Sequence, residues 1–165
     1  MESALSDDFR SAMRRFASTV TIVSSAHDGV RHGMTATAVT SVSMDPPSVL
    51  VCVNRSGRLH ELMGSCRRFC INVLHADQSG VSRVFAQAPS GERFSHGDWL
   101  ENEHGVPYLS GAQVTVFCRR SLVVPYGSHT VFFGDVEQVD VREDISPLIY
   151  QNGDYGTYGP LRTAR

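Results

Sequence analysis

The sequence predicts a mainly β domain of barrel type, decorated with a few helices, and three observations carry that expectation. Short apolar or alternating runs of strand length recur from Val20 to Val141, with Gly, Pro, Asn and Asp turn signals between them. Helical periodicity is confined to a few short stretches. No internal repeat, linker or second composition regime divides the chain, so residues 1–165 read as one domain. With 41% hydrophobic and 19% charged residues, it has the material for one sizeable core.

Taken in order, Ser6-Asp7-Asp8 places capping residues and negative charge at the start of a helix. Its Phe9, Ala12, Met13, Phe16 and Ala17 recur at helical spacing, a stripe for core or subunit contact. Val20–Ser25 is a first strand, and His27-Asp28-Gly29 is a turn. From Gly33 to Met44 one strand is expected. Met34, Ala36, Ala38, Val42 and Met44 lie on one side; Thr35, Thr37, Ser41 and Ser43 lie on the other, with Val39 and Thr40 out of phase. The polar side is short, hydroxylated and uncharged, which leaves room for a flat ligand with a polar edge.

Asp45-Pro46-Pro47 ends that strand, because proline lacks a ladder donor. Ser48–Val53 reads as a buried strand that empties into Asn54-Arg55-Ser56-Gly57-Arg58. Two guanidiniums, a hydroxyl and free backbone donors before a short helix (Leu59, Leu62, Met63) suit a phosphate. Phe69–Leu74 is a strand, and Asp77 is expected to cap a helix bearing Val81, Val84 and Phe85. Ala88–Gly97 reads as a mobile surface loop, and Trp99–Leu109 as irregular. Strands follow at 114–118, 122–124, 129–133 and 136–141, with Gly134-Asp135 as a bulge between the last two. The tail from Pro147 to Pro160 is rich in Tyr and Gly.

Several function classes are excluded. A net charge of −2 with scattered arginines argues against nucleic acid. No apolar run approaches the roughly 20 residues of a membrane span, and the acidic N-terminus lacks a signal region, so a cytoplasmic setting is expected. Cys52, Cys66, Cys70 and Cys118 match neither a zinc knuckle nor a CxxC pair, and the histidines offer no HExxH, so no metal is expected. GxGxxG, Walker and GxSxG patterns are missing, which removes Rossmann, P-loop and α/β-hydrolase chemistry.

A set of motifs is then recognisable. Phe9-Arg10, Ala12-Met13, Gly33-Met34-Thr35-Ala36-Thr37-Ala38, Ser41-Val42-Ser43, Asp45-Pro46-Pro47 and Val51-Cys52-Val53-Asn54-Arg55 open it. Phe85-Ala86, Arg93-Phe94, Gly127-Ser128-His129-Thr130, Phe133-Gly134-Asp135-Val136 and the stretch from Pro147 to Gly156 continue it in order. Together, from about Asp8 to Gly159, they closely resemble the flavin reductase family with the FMN-binding split-barrel fold, the reductase components of two-component flavin-dependent monooxygenases.

The resemblance implies a homodimer whose six-stranded Greek-key split barrel holds FMN or FAD at the subunit interface. NADH or NADPH donates a hydride, and reduced flavin diffuses to a partner monooxygenase. It implies that Thr35, Ala36, Thr37, Ala38, Thr40 and Ser41 line the isoalloxazine edge. Cys52, Val53 and Asn54 would follow the ring and ribityl chain; Ser56, Arg58 and His60 would lie near the phosphate; Phe85 and Ala86 would close the site. His129 would position the nicotinamide. Relatives read Ser-x-Thr-His where this chain has Gly57-Arg58-Leu59-His60, so Arg58 replaces hydroxyls. They read Gly-Asp-His where this chain has Gly127-Ser128-His129, so a charge is missing. Two other readings are a flavin carrier with little turnover and a pyridoxamine-phosphate oxidase. Judged by residue type alone, His129 and Phe85 also suit structural roles, and Cys52 suits a small buried one.

Overall fold

The computed structural model describes residues 2–161. Helix α1 (Glu2–Met13) starts earlier than Ser6 and ends before Phe16. Its apolar stripe does not enter the core: Leu5, Phe9, Met13 and Phe16 are all exposed. A short strand β1 (Ser18–Thr19) leads into β2 (Thr21–His27), and Asp28 and Gly29, both at positive φ, turn the chain back into β3 (Val30–Ala36). Such a two-residue turn matches the twist of the strands it joins.

The strand expected from Gly33 to Met44 is two strands. It breaks at Thr37–Ala38, and β4 (Val39–Met44) resumes on the far side of the sheet. The two residues out of phase, Val39 and Thr40, are the first two of the new strand. The apolar side is divided accordingly: Met34 packs on the core and Ala36 is within it, whereas Val42 and Met44 are exposed.

The main sheet has seven strands in the order β3-β2-β6-β9-β10-β5-β4, with β5 (Pro47–Asn54), β6 (Arg68–Val73), β9 (Val114–Tyr126) and β10 (His129–Val141). Its two edges, β3 and β4, are joined by two residues only. Three peptide steps reach at most about 11 Å, so the sheet must curl until its edges nearly meet. The result is a barrel open along one seam. Counting β3 and β4 as one broken strand gives the six strands expected, and seven hydrogen-bonded segments.

Val23, Val51, Val53, Phe69, Ile71 and Phe132 fill the barrel, and α2 (Arg58–Ser65) closes one end with Leu59 and Met63. Gly134 sits where a Cβ would lie 2.6 Å from Phe69 and 2.7 Å from Cys118. The β9–β10 register shifts between Phe132 and Gly134, the bulge expected there. The runs 114–118 and 122–124 are one continuous β9, and 129–133 and 136–141 one continuous β10.

A second core lies outside the barrel, under α3 (Ser79–Gln87). The side-chain cap lies before a 3-10 turn (Ala76–Gln78) and is His75 rather than Asp77: the Asp77 N–H donates to His75 Nδ1 at 3.2 Å, and α3 itself follows Gln78 with no side-chain cap. Asp77 is itself inside that turn, so its side chain cannot serve as the cap. The Ala88–Gly97 segment is anchored. Arg93 donates to the carbonyls of Gly33 (2.9 Å) and Ala88 (3.2 Å), and Phe94 stacks edge-on with Phe85 and Trp99. The stretch expected to be irregular contains a ribbon of β7 (Trp99–Glu101) and β8 (Pro107–Leu109). In the tail, β11 (Leu148–Gln151) and β12 (Asp154–Thr157) form a hairpin that pairs with β1. Its turn is Asn152-Gly153, both at positive φ, a sequence signal for this hairpin.

Candidate flavin site at the barrel seam

The break at Thr37–Ala38 is the centre of the site. Two cavities adjoin there, and Thr37 borders both. The first, of about 430 Å³, lies in the seam, with Thr19, Thr21, Thr37, Thr40 and Ser41 among its walls and Val49 and Ile71 at its floor. The second, of about 210 Å³, lies between β3 and α3 and is lined by Thr35, Ala36, Ser82, Ala86, Tyr150 and Tyr155. Small hydroxyls line both because β3 and β4 diverge here. Bulkier side chains would fill the gap. A larger open hollow between α1 and the β11–β12 turn is bordered by Arg10, Arg14 and Arg15, and none of the expected residues reaches it.

Beyond Ala38 the chain meets the end of β5. The Cys52 N–H donates to the Ala38 carbonyl at 3.0 Å, which fixes the seam against the loop at 54–57. In that loop Asn54 Oδ1 accepts from both the N–H and the hydroxyl of Ser56, each at 2.9 Å. Helix α2 then begins behind Gly57 with no side chain capping it. Its first N–H groups and the Arg58 guanidinium, which joins no ion pair among the described residues, form a positive end, with Glu61 as the acidic side chain of the first turn. His60 is held inward, with Nε2 2.8 Å from Thr130 Oγ1 and its ring edge-on to Phe132.

Two expected site residues are corrected. Phe85 is only 1% exposed and packs among Phe94, Trp99 and the outer core, so its ring cannot wall a ligand; its neighbour Ala86 does line the second cavity. Val53 is 0% exposed because the alternation of β5 points it into the barrel, where it packs in the core. Cys52 is half-buried. Burial pushes the Cys70 thiol up and the Cys118 thiol to about 12, as expected of packing residues.

His129 stands exposed at the tip of the β9–β10 hairpin. It pairs across the ladder with Asn54, and its Nδ1 lies 2.9 Å from Ser128 Oγ. The Arg55 N–H donates to Ser128 O, so this tip and the phosphate-type loop form one unit. Sequence reasoning did not single out Ser82, whose hydroxyl bonds that of Tyr155 at 2.8 Å across the second cavity. Ser82 lies on the face of α3 one turn before Phe85, and that spacing was the available signal.

Comparison with known proteins agrees with this geometry. Residues 13–159 match the family model described as flavin reductase like domain. The reductase component of an FADH(2)-dependent resorcinol hydroxylase from Rhizobium sp. (strain MTP-10005) is 47% identical over 93% of this chain and 87% of that protein. The NADH-dependent FMN reductase RutF of Stutzerimonas stutzeri is 36% identical over 90% of this chain and 86% of its own. Among solved structures, the NADH:FAD oxidoreductase SgcE6 of Streptomyces globisporus superposes with a TM-score of 0.86 at 30% identity, covering 92% of each chain. The broken strand, the seam with its hydroxyls and these matches lead to one conclusion: the chain belongs to the flavin reductase family.

Proposed function

We propose that this chain reduces FMN or FAD with NADH or NADPH and supplies the reduced flavin to a partner monooxygenase. The observation that carries the reading is the gathering of Thr35, Thr37, Thr40 and Ser41 around two adjoining cavities, with the uncapped start of α2 close by. The donor set fits a flavin. Short hydroxyls and backbone groups suit the polar edge of a flat ring, and the α2 N-terminus with Arg58 suits its phosphate. The names of the relatives, reductase components and NADH-dependent FMN reductases, support the same activity.

When bound, the flavin supplies the redox chemistry, accepting a hydride from the nicotinamide donor. The protein's own work is placement. Thr35 to Ser41 hold the ring edge, Asn54 and Ser56 shape the loop around the phosphate, and Ala86 limits the site from α3. His129 positions the nicotinamide through a hydrogen bond, since reacting atoms must be held roughly 3–3.5 Å apart.

The working unit is a homodimer in the cytoplasm. The exposed Leu122, Val124 and Tyr126 fall on one face of β9 by strand alternation and supply an apolar face for a second copy. No helix among the described residues is long and apolar enough to cross a membrane.

NADH oxidation measured with added FMN, FAD and riboflavin tests the reading. Turnover that scales with added flavin is expected. Tight flavin binding with negligible turnover would favour a flavin carrier instead. Thr37→Leu should weaken flavin binding about tenfold or more by filling the space both cavities share. Unchanged fluorescence quenching in that variant would remove the seam from the site.

A further inference from the structure

The second cavity has two walls of different origin: Ser82 and Ala86 come from α3, and Tyr150 and Tyr155 from the β11–β12 hairpin. Both walls are anchored at one buried imidazole. His75, 7% exposed, caps the 3-10 turn that runs directly into α3. Its Nε2 lies 3.0 Å from Asp144 Oδ2, on the segment that leads into β11. The backbone repeats this link on either side, with the Ala76 N–H donating to Ser146 O at 2.7 Å and the Leu148 N–H to Leu74 O at 2.8 Å. We propose that His75 is a positioning residue of the flavin site, and that its protonation sets how closely α3 and the hairpin close on the second cavity; the proposal rests on the flavin-site reading above.

Two partners compete for one nitrogen. His75 Nδ1 lies 3.2 Å from the Asp77 N that it caps and 2.9 Å from Asp77 Oδ1. The neutral ring carries its proton on Nε2, toward Asp144, and its Nδ1 lone pair accepts the Asp77 N–H. Once Nδ1 takes a proton from water, that lone pair is gone. The turn then loses its side-chain cap, and Nδ1–H donates to the Asp77 carboxylate instead. The other charged groups around the ring keep their places. Arg142 bridges the two carboxylates, donating to Asp77 Oδ2 at 3.2 Å and to Asp144 Oδ1. That Arg142 hydrogen bond holds the Asp144 carboxyl below its usual range, so it accepts from Nε2 in both ring forms. Glu143 joins no ion pair among the described residues, Arg83 of α3 lies over the Tyr155 ring, and β11 carries no charged residue. The two forms therefore differ at the start of α3, whose Ser82 hydroxyl is tied to Tyr155 across the cavity.

Flavin quenching by the whole chain, followed with FMN and with FAD from about pH 8 to about pH 5.5, spans the range in which a histidine ordinarily changes charge. Affinity is expected to fall about fivefold on acidification, the effect of losing a cap. His75→Asn keeps a capping acceptor at every pH and cannot take the proton, so its affinity should stay within about twofold over the same range. Reading each variant against the unchanged chain cancels titration of the flavin phosphate. Asp144→Asn leaves an acceptor for Nε2 but withdraws a negative charge, so its fall should come at lower pH. Asp144 is exposed, so that variant reports even where the exchange at the buried position 75 does not fold. An affinity that is level or rises on acidification overturns the proposal and leaves the seam reading standing. So does a fall that His75→Asn retains or that Asp144→Asn leaves in place. A chain that binds neither flavin at any pH overturns the seam reading and this proposal with it.

Discussion

The two halves of β9 share one sequence character and meet different fates. From Val114 to Arg119 the strand lies between β6 and β10, and Thr115, Phe117 and Cys118 are buried. From Arg120 to Tyr126 it keeps β10 on one side but has run past β6, so its other edge is free. Leu122, Val123 and Val124 are as apolar as the residues before them, yet all are exposed, and Tyr126 is 84% exposed. A free apolar edge invites pairing, and Pro125 blunts this one by removing a donor. Apolar content alone therefore does not place a residue in the core. What the partner strand covers decides.

That contrast can be broken most strongly from the closed half. Gly134→Ala puts a methyl against Phe69 and the Cys118 Cβ, neither of which can swing aside, and should cost about 3 kcal/mol. A melting curve should fall by about 10 °C. A loss under about 1 kcal/mol would mean that the closed half yields as easily as the open one.

The open half should behave in the opposite way. Leu122→Asp is expected to leave the folded protomer within about 0.5 kcal/mol, because the position is exposed. Sedimentation should nevertheless show a monomer, since an unpaired carboxylate in an apolar interface costs several kcal/mol, about 100-fold or more in affinity. A dimer of unchanged strength would place the subunit contact elsewhere.

At the tip of the open half, His129→Ala should slow flavin reduction by NADH about tenfold or raise the KM, with flavin affinity and melting unchanged. Early melting with a normal reduction rate, read by stopped flow, would return His129 to a purely structural role.

The smallest effect belongs to the boundary between the halves. Glu137 accepts from Arg68 at 2.8 Å with Arg119 beside it, and the Arg68 hydrogen bond holds its carboxyl below the usual range. A lowered folded value means the contribution is complete above the unfolded value near 4.5 and is lost as pH falls through the lowered one. Both side chains are about a third exposed, so Glu137→Gln should remove under about 1 kcal/mol and flatten the acid limb of stability. An unchanged acid limb would show that solvent screens the pair fully.

Much of this was legible in the residues because it depends on local chemistry. The Asp28-Gly29 turn, the end of a strand at Asp45-Pro46, the loop before α2 and the bulge at Gly134 are written in single residues whose backbone preferences are strong. The hydroxyl run was readable as a ligand face for the same reason: no ordinary solvent face is so short and uncharged. The order of motifs identified the family, and the comparisons agree with it.

Only the tertiary structure decided where that run sits. A period of two fits one strand or two, and nothing local tells Thr37–Ala38 to cross the seam; closure of the seven-stranded sheet does. The same closure turned Val42 and Met44 outward. Phe85 and the stripe of α1, read as core or subunit contact, show the converse limit, since helical periodicity marks an apolar face without naming what covers it. Phe85 found Phe94 from the segment read as a surface loop and Trp99 from the one read as irregular, while Leu5, Phe9 and Met13 stay exposed among the described residues. Burial is a property of pairs of surfaces, and the sequence states only one member of each pair.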